Sequence, residues 1–344
     1  MKLSKINIEE RMQHYHISGL SLATIKDGQM SANESHGVRE TGTQKFVDTD
    51  TMFNACSISK FVTGMLVMIL ADQGVLDLDA DVNDQLLTWK VPHHRFSAKV
   101  TLRRLLSHQS GIMDPDGSFP ERKLTDSVPS MVEVLEGKTS YCKTPIEVNV
   151  EPGSEFHYSD AGYCIIQQVI EDVTGKPFAT LASELIFNPL KMKHSSFPTD
   201  IFKESMTNFS FGHNKDGQLI DGGYSIYPYP AASGLWTTPE DLARLVIELT
   251  GSLKGQSKIG LTDVKADEMI RSQGCKEWAG LGVFLDGAEE ELEISSLGWG
   301  IGCQSMVAAY PHLGKGLIIM TNTDTGLHQM KGLIGEVYHS MKKR

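Results

Sequence analysis

The longest apolar run of the chain extends almost unbroken to Ala71. It follows the segment Asn54-Ala55-Cys56-Ser57-Ile58-Ser59-Lys60, so a helix is predicted with Ser57 at its start and Lys60 one turn further on. Side chains three positions apart share a helix face, which lets the lysine amine approach the serine hydroxyl. A serine hydroxyl is a poor nucleophile until a neighbour takes its proton. Lysine can be that neighbour where burial lowers its pKa, because desolvation disfavours the ammonium form. A helix start adds backbone N–H groups aimed at developing negative charge.

The spacing alone does not single out this serine. Ser140–Lys143 and Ser340–Lys343 repeat it. Neither begins a long apolar helix, and the second lies in the basic tail Met341-Lys342-Lys343-Arg344.

Bulk properties narrow the function classes. A chain of 344 residues, 40% hydrophobic and 22% charged, suits one large soluble domain or two smaller ones sharing a core. The net charge of −11, with basic residues scattered, argues against nucleic-acid binding. Met1-Lys2-Leu3-Ser4-Lys5-Ile6-Asn7 carries no apolar signal core, and the run after Lys60 is too short to span a bilayer. A soluble, cytoplasmic protein without a membrane span is therefore expected. Cys56, Cys142, Cys164, Cys275 and Cys303 are isolated and odd in number, which predicts neither a disulfide framework nor a zinc site. Cys56 reads as a small buried hydrophobe. The pairs His14/His16 and His93/His94 lack a third metal ligand at usable spacing.

Along the chain, Leu20-Ser21-Leu22-Ala23-Thr24-Ile25 reads as a strand and Lys26-Asp27-Gly28-Gln29 as a hairpin turn, with a return strand from Met30 to about Val38. The helix after Ser57 is predicted to end near Gly74. Another helix opens at Thr101 and reaches Leu106, closed by Ser107-His108-Gln109-Ser110-Gly111. The stretch from Asp114 to Ser127 reads as a loop, and helices are predicted around 132–136, 162–173 and 177–187. Thr238-Pro239-Glu240-Asp241 places proline in the first turn of a helix leading into 242–249. Beyond Gly280, strands are predicted at 281–285, 306–310 and 316–320, then a last helix from about Gly326 to Met341. This pattern predicts a sheet domain built from residues 1–60 and 230–344 and a mainly helical domain at 61–229, with the active site at their interface.

Two further segments carry chemistry. In Pro152-Gly153-Ser154-Glu155-Phe156-His157-Tyr158-Ser159-Asp160-Ala161-Gly162-Tyr163 a turn leads through Tyr158-x-Asp160 into a helix. Leu297-Gly298-Trp299-Gly300-Ile301-Gly302 stands just before the last strand pair. With Ser57-x-x-Lys60, this order resembles the serine β-lactamase and penicillin-binding-protein superfamily, nearest its class C-like branch of β-lactamases, D-aminopeptidases and family VIII carboxylesterases. That branch carries S-x-x-K, then Y-x-N, then a K-T-G or H-x-G box on a sheet strand, and some family VIII esterases begin the third box with tryptophan. The likeness extends over nearly the whole chain, through Ile17-Ser18-Gly19-Leu20-Ser21-Leu22-Ala23, Leu76-Asp77-Leu78-Asp79, Leu105-Leu106-Ser107-His108-Gln109-Ser110-Gly111 and Gly234-Leu235-Trp236-Thr237-Thr238-Pro239-Glu240-Asp241-Leu242.

The resemblance implies an α/β (α+β) fold of the β-lactamase/transpeptidase type, with an antiparallel sheet flanked by helices and an inserted mainly helical region. It implies an acyl-enzyme on Ser57, with Lys60 and Tyr158 sharing the proton. The oxyanion would be held by the backbone N–H groups of Ser57 and Gly302. Asp160, Trp299, Gly300 and Ile301 would contact the substrate, and no metal or organic cofactor is needed. The expected partner is a small-molecule ester, amide or lactam.

Two residues depart from the family pattern. Trp299 stands where a cation recognises the substrate carboxylate, and an indole supplies no charge. That points from penicillin-like substrates towards apolar esters, hence a carboxylesterase. Asp160 replaces asparagine; a carboxylate beside Lys60 favours its ammonium form and shifts the burden of base to Tyr158. Asp160 also suits a helix N-cap before Ala161, and one side chain could serve both roles. The alternatives on the same site are a β-lactamase, a D-aminopeptidase or amidase, or an acyltransferase. A catalytically silent, ligand-binding relative is the alternative of another class. No G-x-S-x-G elbow exists, which argues against an α/β-hydrolase. Specificity is expected in the loops 114–127 and 209–230, with Tyr224-Ser225-Ile226-Tyr227-Pro228-Tyr229 as one wall.

Overall fold

The computed structural model describes residues 6–93, 95–123, 126–199 and 208–342. Residues 1–5, His94, Leu124 and Thr125 of the 114–127 loop, residues 200–207, Lys343 and Arg344 lie outside them.

The N-terminal hairpin forms where its turn residues demand it. Strand β1 (Gly19–Lys26) pairs antiparallel with β2 (Gln29–Gly37), and Asp27 and Gly28 adopt left-handed φ of 53° and 72° between them. Two consecutive left-handed residues match the twist of the flanking strands. The other edge of β1 pairs with β8 (Lys315–Thr321), so the first strand of the chain lies against the last. With β5 (Phe284–Asp286), β6 (Glu293–Gly300) and β7 (Cys303–Tyr310), these strands make one antiparallel sheet of order β2-β1-β8-β7-β6-β5. A two-stranded sheet pairs β3 (Phe53–Cys56) with β4 (Leu235–Thr237).

Alternation along β8 sorts the core into two layers. Leu317 and Ile319 face α1 (Ile8–His14) and the C-terminal helix (Leu333–Lys342), in a cluster with Ile8, Met12, Leu333 and Val337. Ile318 and Met320 face the opposite side and join the main cluster. There α2 (Ser59–Asp72) is buried without interruption from Ser59 to Leu70. A helix apolar on every side stabilises only as a core element, and each buried Leu, Ile, Phe or Met contributes roughly 1.5–3 kcal/mol. The same cluster continues into Tyr163, Ile166 and Val169 of α3 (Asp160–Thr174).

Several boundaries differ from the sequence reading. Ser57 precedes α2 rather than opening it; the helix starts at Ser59, and Lys60 N–H donates to the Ser57 carbonyl at 3.0 Å across the turn before it. The strand expected at 281–285 contracts to β5, because Leu281 and Gly282 bond instead to Met269 and Leu106. A 3-10 turn at Gln329–Lys331 precedes the last helix, which begins at Leu333 rather than near Gly326. Strand β6 and helix α1 had no counterpart in the sequence reading.

Candidate active site

Ser57 sits at the end of a short strand that is bent sharply just before it. Cys56 has a left-handed φ of 47°, uncommon outside glycine. The Asn54 side chain holds that bend, accepting from Cys56 N–H at 2.9 Å while its amide donates to the Ser225 carbonyl at 2.7 Å. Ser59 Oγ donates to the Cys56 carbonyl at 2.6 Å and accepts from Leu235 N–H at 3.0 Å. Both ends of the turn carrying Ser57 are thus tied to β4 and its approach.

Lys60, only 3% exposed, reaches back to this turn. Its Nζ donates to Ser57 Oγ at 3.3 Å, to Asp160 Oδ1 at 2.5 Å and to the Ala232 carbonyl at 2.9 Å. An ammonium carries three donors, and here each finds an acceptor. Burial works to lower the Lys60 pKa, but the Asp160 carboxylate outweighs it and holds the group well above the usual lysine value. The resting state is an ion pair, as the Asp160 substitution predicts.

Tyr158 completes the cluster. Lys60 Nζ stands 4.8 Å from its ring centroid, and Tyr158 borders one small cavity together with Lys60 and Ser57. The ring is 41% exposed at its outer side. Loss of water around the hydroxyl pushes the phenol pKa up, the nearby Lys60 charge pulls it down, and the net shift is upward. The other face of Tyr158 stacks on His108 at 4.3 Å. His108 is buried, and desolvation with the Lys60 charge drives its pKa well below the ordinary histidine value. Its Nδ1 accepts from Ser159 N–H at 3.1 Å, which fixes the neutral ring with Nε2 protonated.

The cap of α3 explains how Asp160 is free to pair with Lys60. Ser159, not Asp160, is the N-cap, its Oγ accepting from Gly162 N–H at 3.0 Å. Asp114 supplies a second cap from a distant loop: its carboxylate accepts from Ser159 Oγ, Asp160 N–H and Ala161 N–H, each at 2.9 Å. Burial and the Asp160 charge raise the Asp114 pKa against those three bonds.

Strand β6 brings the third segment to Ser57 by its backbone. Ile294 belongs to the main core and Leu297 packs against the α1 layer, so Ser296, Gly298 and Gly300 face the nucleophile side. A Cβ on Gly298 would stand 2.1 Å from the Ala55 carbonyl oxygen, and one on Gly300 would stand 2.6 Å from Cys56 Sγ. Only glycine permits that approach. Trp299, at the intervening position, leaves the face of Gly298 and Gly300 but still borders the cleft at Ser57, where its Nε1 donates to Asp324 Oδ1 at 2.9 Å. Ile301 is exposed in the following turn, its N–H donating to the Tyr227 hydroxyl at 3.0 Å. Gly302 is buried behind that turn with φ of 79°, and a Cβ there would meet Gly212 Cα at 2.7 Å. It is absent from the residues lining the cleft at Ser57.

Register decides which backbone donors face the cleft. Gly300 and Cys303 close a two-residue turn, so hydrogen-bonded pairs recur at Gly298–Ser305 and Ser296–Val307. The N–H groups of Leu297 and Trp299 therefore point away from β7, to the edge that β5 leaves uncovered beyond Ser295.

A cleft of about 350 Å³ opens beside Ser57, lined by Asp160, Trp299, Gly300, Ile301, Tyr227 and Phe119-Pro120-Glu121. The 114–127 loop and the tyrosine-rich stretch both reach it, the latter through Tyr227, whereas Tyr229 is fully buried. The charged side chains lining it are Glu121, Asp160 and Asp324, with no lysine, arginine or histidine among the described residues. On the other side of Ser57 a cavity of about 20 Å³, room for one water molecule, is lined by Lys60, His108, Tyr158 and Ser296. The sequence reading had placed Asp114 and Tyr227 only within pocket-lining loops and had given His108 and Ser296 no part in the site. His108 stood inside a quoted segment, but its stacking on Tyr158 depends on a contact fifty residues apart.

Among the described residues, no three His, Cys, Asp or Glu form a metal-binding group, and no helix is long and apolar enough to cross a membrane.

Comparison with known proteins places this geometry. Protein flp of Staphylococcus aureus (strain MW2) is 26% identical over 232 residues, 67% of this chain and 44% of that protein. The chain thus spans less than half the length of this relative. The octameric penicillin-binding protein homologue from Pyrococcus abyssi superposes with a TM-score of 0.76 at 21% identity, over 94% of this chain and 74% of that one. D-amino acid amidase from Ochrobactrum anthropi SV3 superposes with a TM-score of 0.74 at 21% identity, over 98% and 99%. These structural likenesses establish the β-lactamase/transpeptidase-like fold expected from the sequence. The sequence pattern of the Beta-lactamase family matches residues 6–336, and the chain belongs to that family.

Proposed function

We propose that the protein is a serine hydrolase acting through an acyl-enzyme on Ser57, with small carboxylic esters as its substrates. The observation that carries this reading is the contact of Lys60 with Ser57 Oγ at 3.3 Å, with Tyr158 bordering the same small cavity as both. Ser57 attacks the ester carbonyl and its proton passes to the Lys60–Tyr158 pair, which titrates as one unit. Tyr158 then delivers the proton to the leaving alcohol, and later takes one from the water that releases the acyl group. The developing oxyanion is held by the N–H groups of Ser57 and, in place of Gly302, Trp299, whose amide faces the open strand edge. A division at residues 60 and 230 into a sheet part and a helical part would set Ser57 where the two meet.

Esters are favoured over penicillin-like substrates by the charge of the cleft. Its lining offers carboxylates and no cation for a substrate carboxylate. Amide hydrolysis is the second reading, supported by the full-length fold likeness to a D-amino acid amidase. Turnover of p-nitrophenyl acetate and butyrate, nitrocefin and D-alanine p-nitroanilide on one preparation separates these. The ester should give the highest kcat/KM; a higher value for nitrocefin or the anilide overturns the ester assignment, and no turnover of any favours a silent binding protein.

A further inference from the structure

Two thiols that the proposed mechanism does not use lie against it. Cys56 immediately precedes Ser57, and Cys303 immediately follows the turn at Ile301–Gly302. Their sulfurs are 3.3 Å apart, both side chains are buried, and both are free. The two residues lie on different strands, β3 and β7, already joined there by Ser305 Oγ donating to the Ala55 carbonyl at 3.2 Å. Cys56 also borders the cleft at Ser57, which gives a small oxidant a route to it.

We propose that Cys56 and Cys303 form an oxidisable dithiol whose disulfide switches the Ser57 site off. A peroxide is sufficient as oxidant. One thiolate attacks the O–O bond, becoming a sulfenic acid and releasing water; the second thiol attacks that sulfur, forms the S–S bond and releases a second water. Both thiols are oxidised, each losing one hydrogen, and one hydrogen peroxide is reduced to two waters. The sulfurs need to close from 3.3 Å to about 2.05 Å. That movement acts on Cys56, whose left-handed φ of 47° sets the Ser57 peptide unit. Displacing that unit moves the Ser57 hydroxyl and N–H relative to Lys60 and β6. The Cys303 contact and burial push the Cys56 thiol pKa up, which lowers its thiolate fraction and slows oxidation.

The cross-link itself is independent of the proposed function; its effect on activity rests on that reading. Exposed Cys275 is first replaced by serine to remove the accessible thiol. The full chain is then treated with hydrogen peroxide and peptide-mapped without reduction. A Cys56–Cys303 linked peptide is expected, with esterase activity falling at least tenfold and recovering with dithiothreitol. Cys303→Ser should form no such link and keep its activity through the same treatment. Oxidation that leaves Cys56 and Cys303 unlinked overturns the proposal. A link that leaves activity unchanged overturns the switch while leaving the dithiol standing. If the protein has no esterase activity, labelling of Ser57 by a fluorophosphonate serves as the second readout, with the same two outcomes.

Discussion

Lys60 Nζ lies 2.5 Å from Asp160 Oδ1, closer than to the hydroxyl of Ser57 at 3.3 Å. The carboxylate, not the nucleophile, sets the lysine's charge. It raises the pKa of Lys60 and adds to the rise of Tyr158, so the pair that must accept the Ser57 proton holds its own proton tightly. Asp160→Asn removes that negative charge and lowers both. The acid limb of the kcat/KM profile should move towards neutral pH, since the proton leaves the pair more readily. The variant should also lose about 2 kcal/mol of stability as a charged hydrogen bond becomes a neutral one. A pH–rate profile beside the wild type checks this; an unmoved acid limb contradicts the role given to Asp160.

The backbone of Trp299, rather than its indole, is expected to serve the reaction. Trp299→Ala keeps the N–H and should change kcat less than tenfold. Trp299→Pro removes it at a position whose N–H points off the open strand edge, where proline is tolerated. Its kcat should fall by about 10²–10³, the loss seen when one oxyanion donor is removed. Steady-state kinetics with thermal denaturation of each variant tests the pair. Equal kcat in the two variants would return the donor to another residue.

His108 should make the protein acid-sensitive. Its folded-state pKa lies well below the ordinary value of 6.5, so its contribution to stability is complete above pH 6.5 and is lost as pH falls below it. Lys60, with a raised pKa, contributes across this whole range and adds no slope there. Asp114, with its pKa raised above 3.8 by burial and the Asp160 charge, acts in the opposite sense as pH falls towards 3.8. His108→Asn tolerates the left-handed φ of 58° and can accept from Ser159 N–H, but does not titrate. The decline in melting temperature below pH 6.5 should be shallower in that variant than in the wild type.

Gly298 and Gly42 make a matched comparison of glycine requirements. A Cβ at Gly298 collides with the Ala55 carbonyl and Ser305 Oγ, whereas at Gly42, with φ of 82°, nothing lies within 4 Å. Gly298→Ala should cost about 3 kcal/mol by overpacking and abolish turnover by pushing β3 from β6. Gly42→Ala should cost about 1 kcal/mol, the backbone strain alone, and leave kcat unchanged. Urea denaturation and ester turnover of both variants measure the difference.

Local signals were legible where the chain makes its own decisions. Asp27-Gly28 specified the first hairpin, Thr101 and Thr238 capped their helices, and the apolar run after Lys60 became the central helix. Strand β6 was not legible, because Ser295-Ser296 and two glycines give little strand propensity; pairing with β7 imposes its conformation. The oxyanion donor and the side chain offered to a substrate both follow from the register of this strand. Both assignments depend on where the turn falls, and the turn begins after Gly300. Helix α1 carries a local signal, Asn7 as cap with Glu9 and Glu10 behind it, but its seven residues are too few for an apolar period to stand out. Asp114 and His108 act through bonds to residues some fifty positions away, which no local pattern contains.

The central claim is that Ser57 is the nucleophile. Intact-mass measurement with peptide mapping after reaction with a fluorophosphonate tests it most directly. One adduct per chain is expected, located on Ser57, and absent from Ser57→Ala at equal folded concentration. An adduct on another serine, or none on a folded wild-type protein that still turns over esters, contradicts the account.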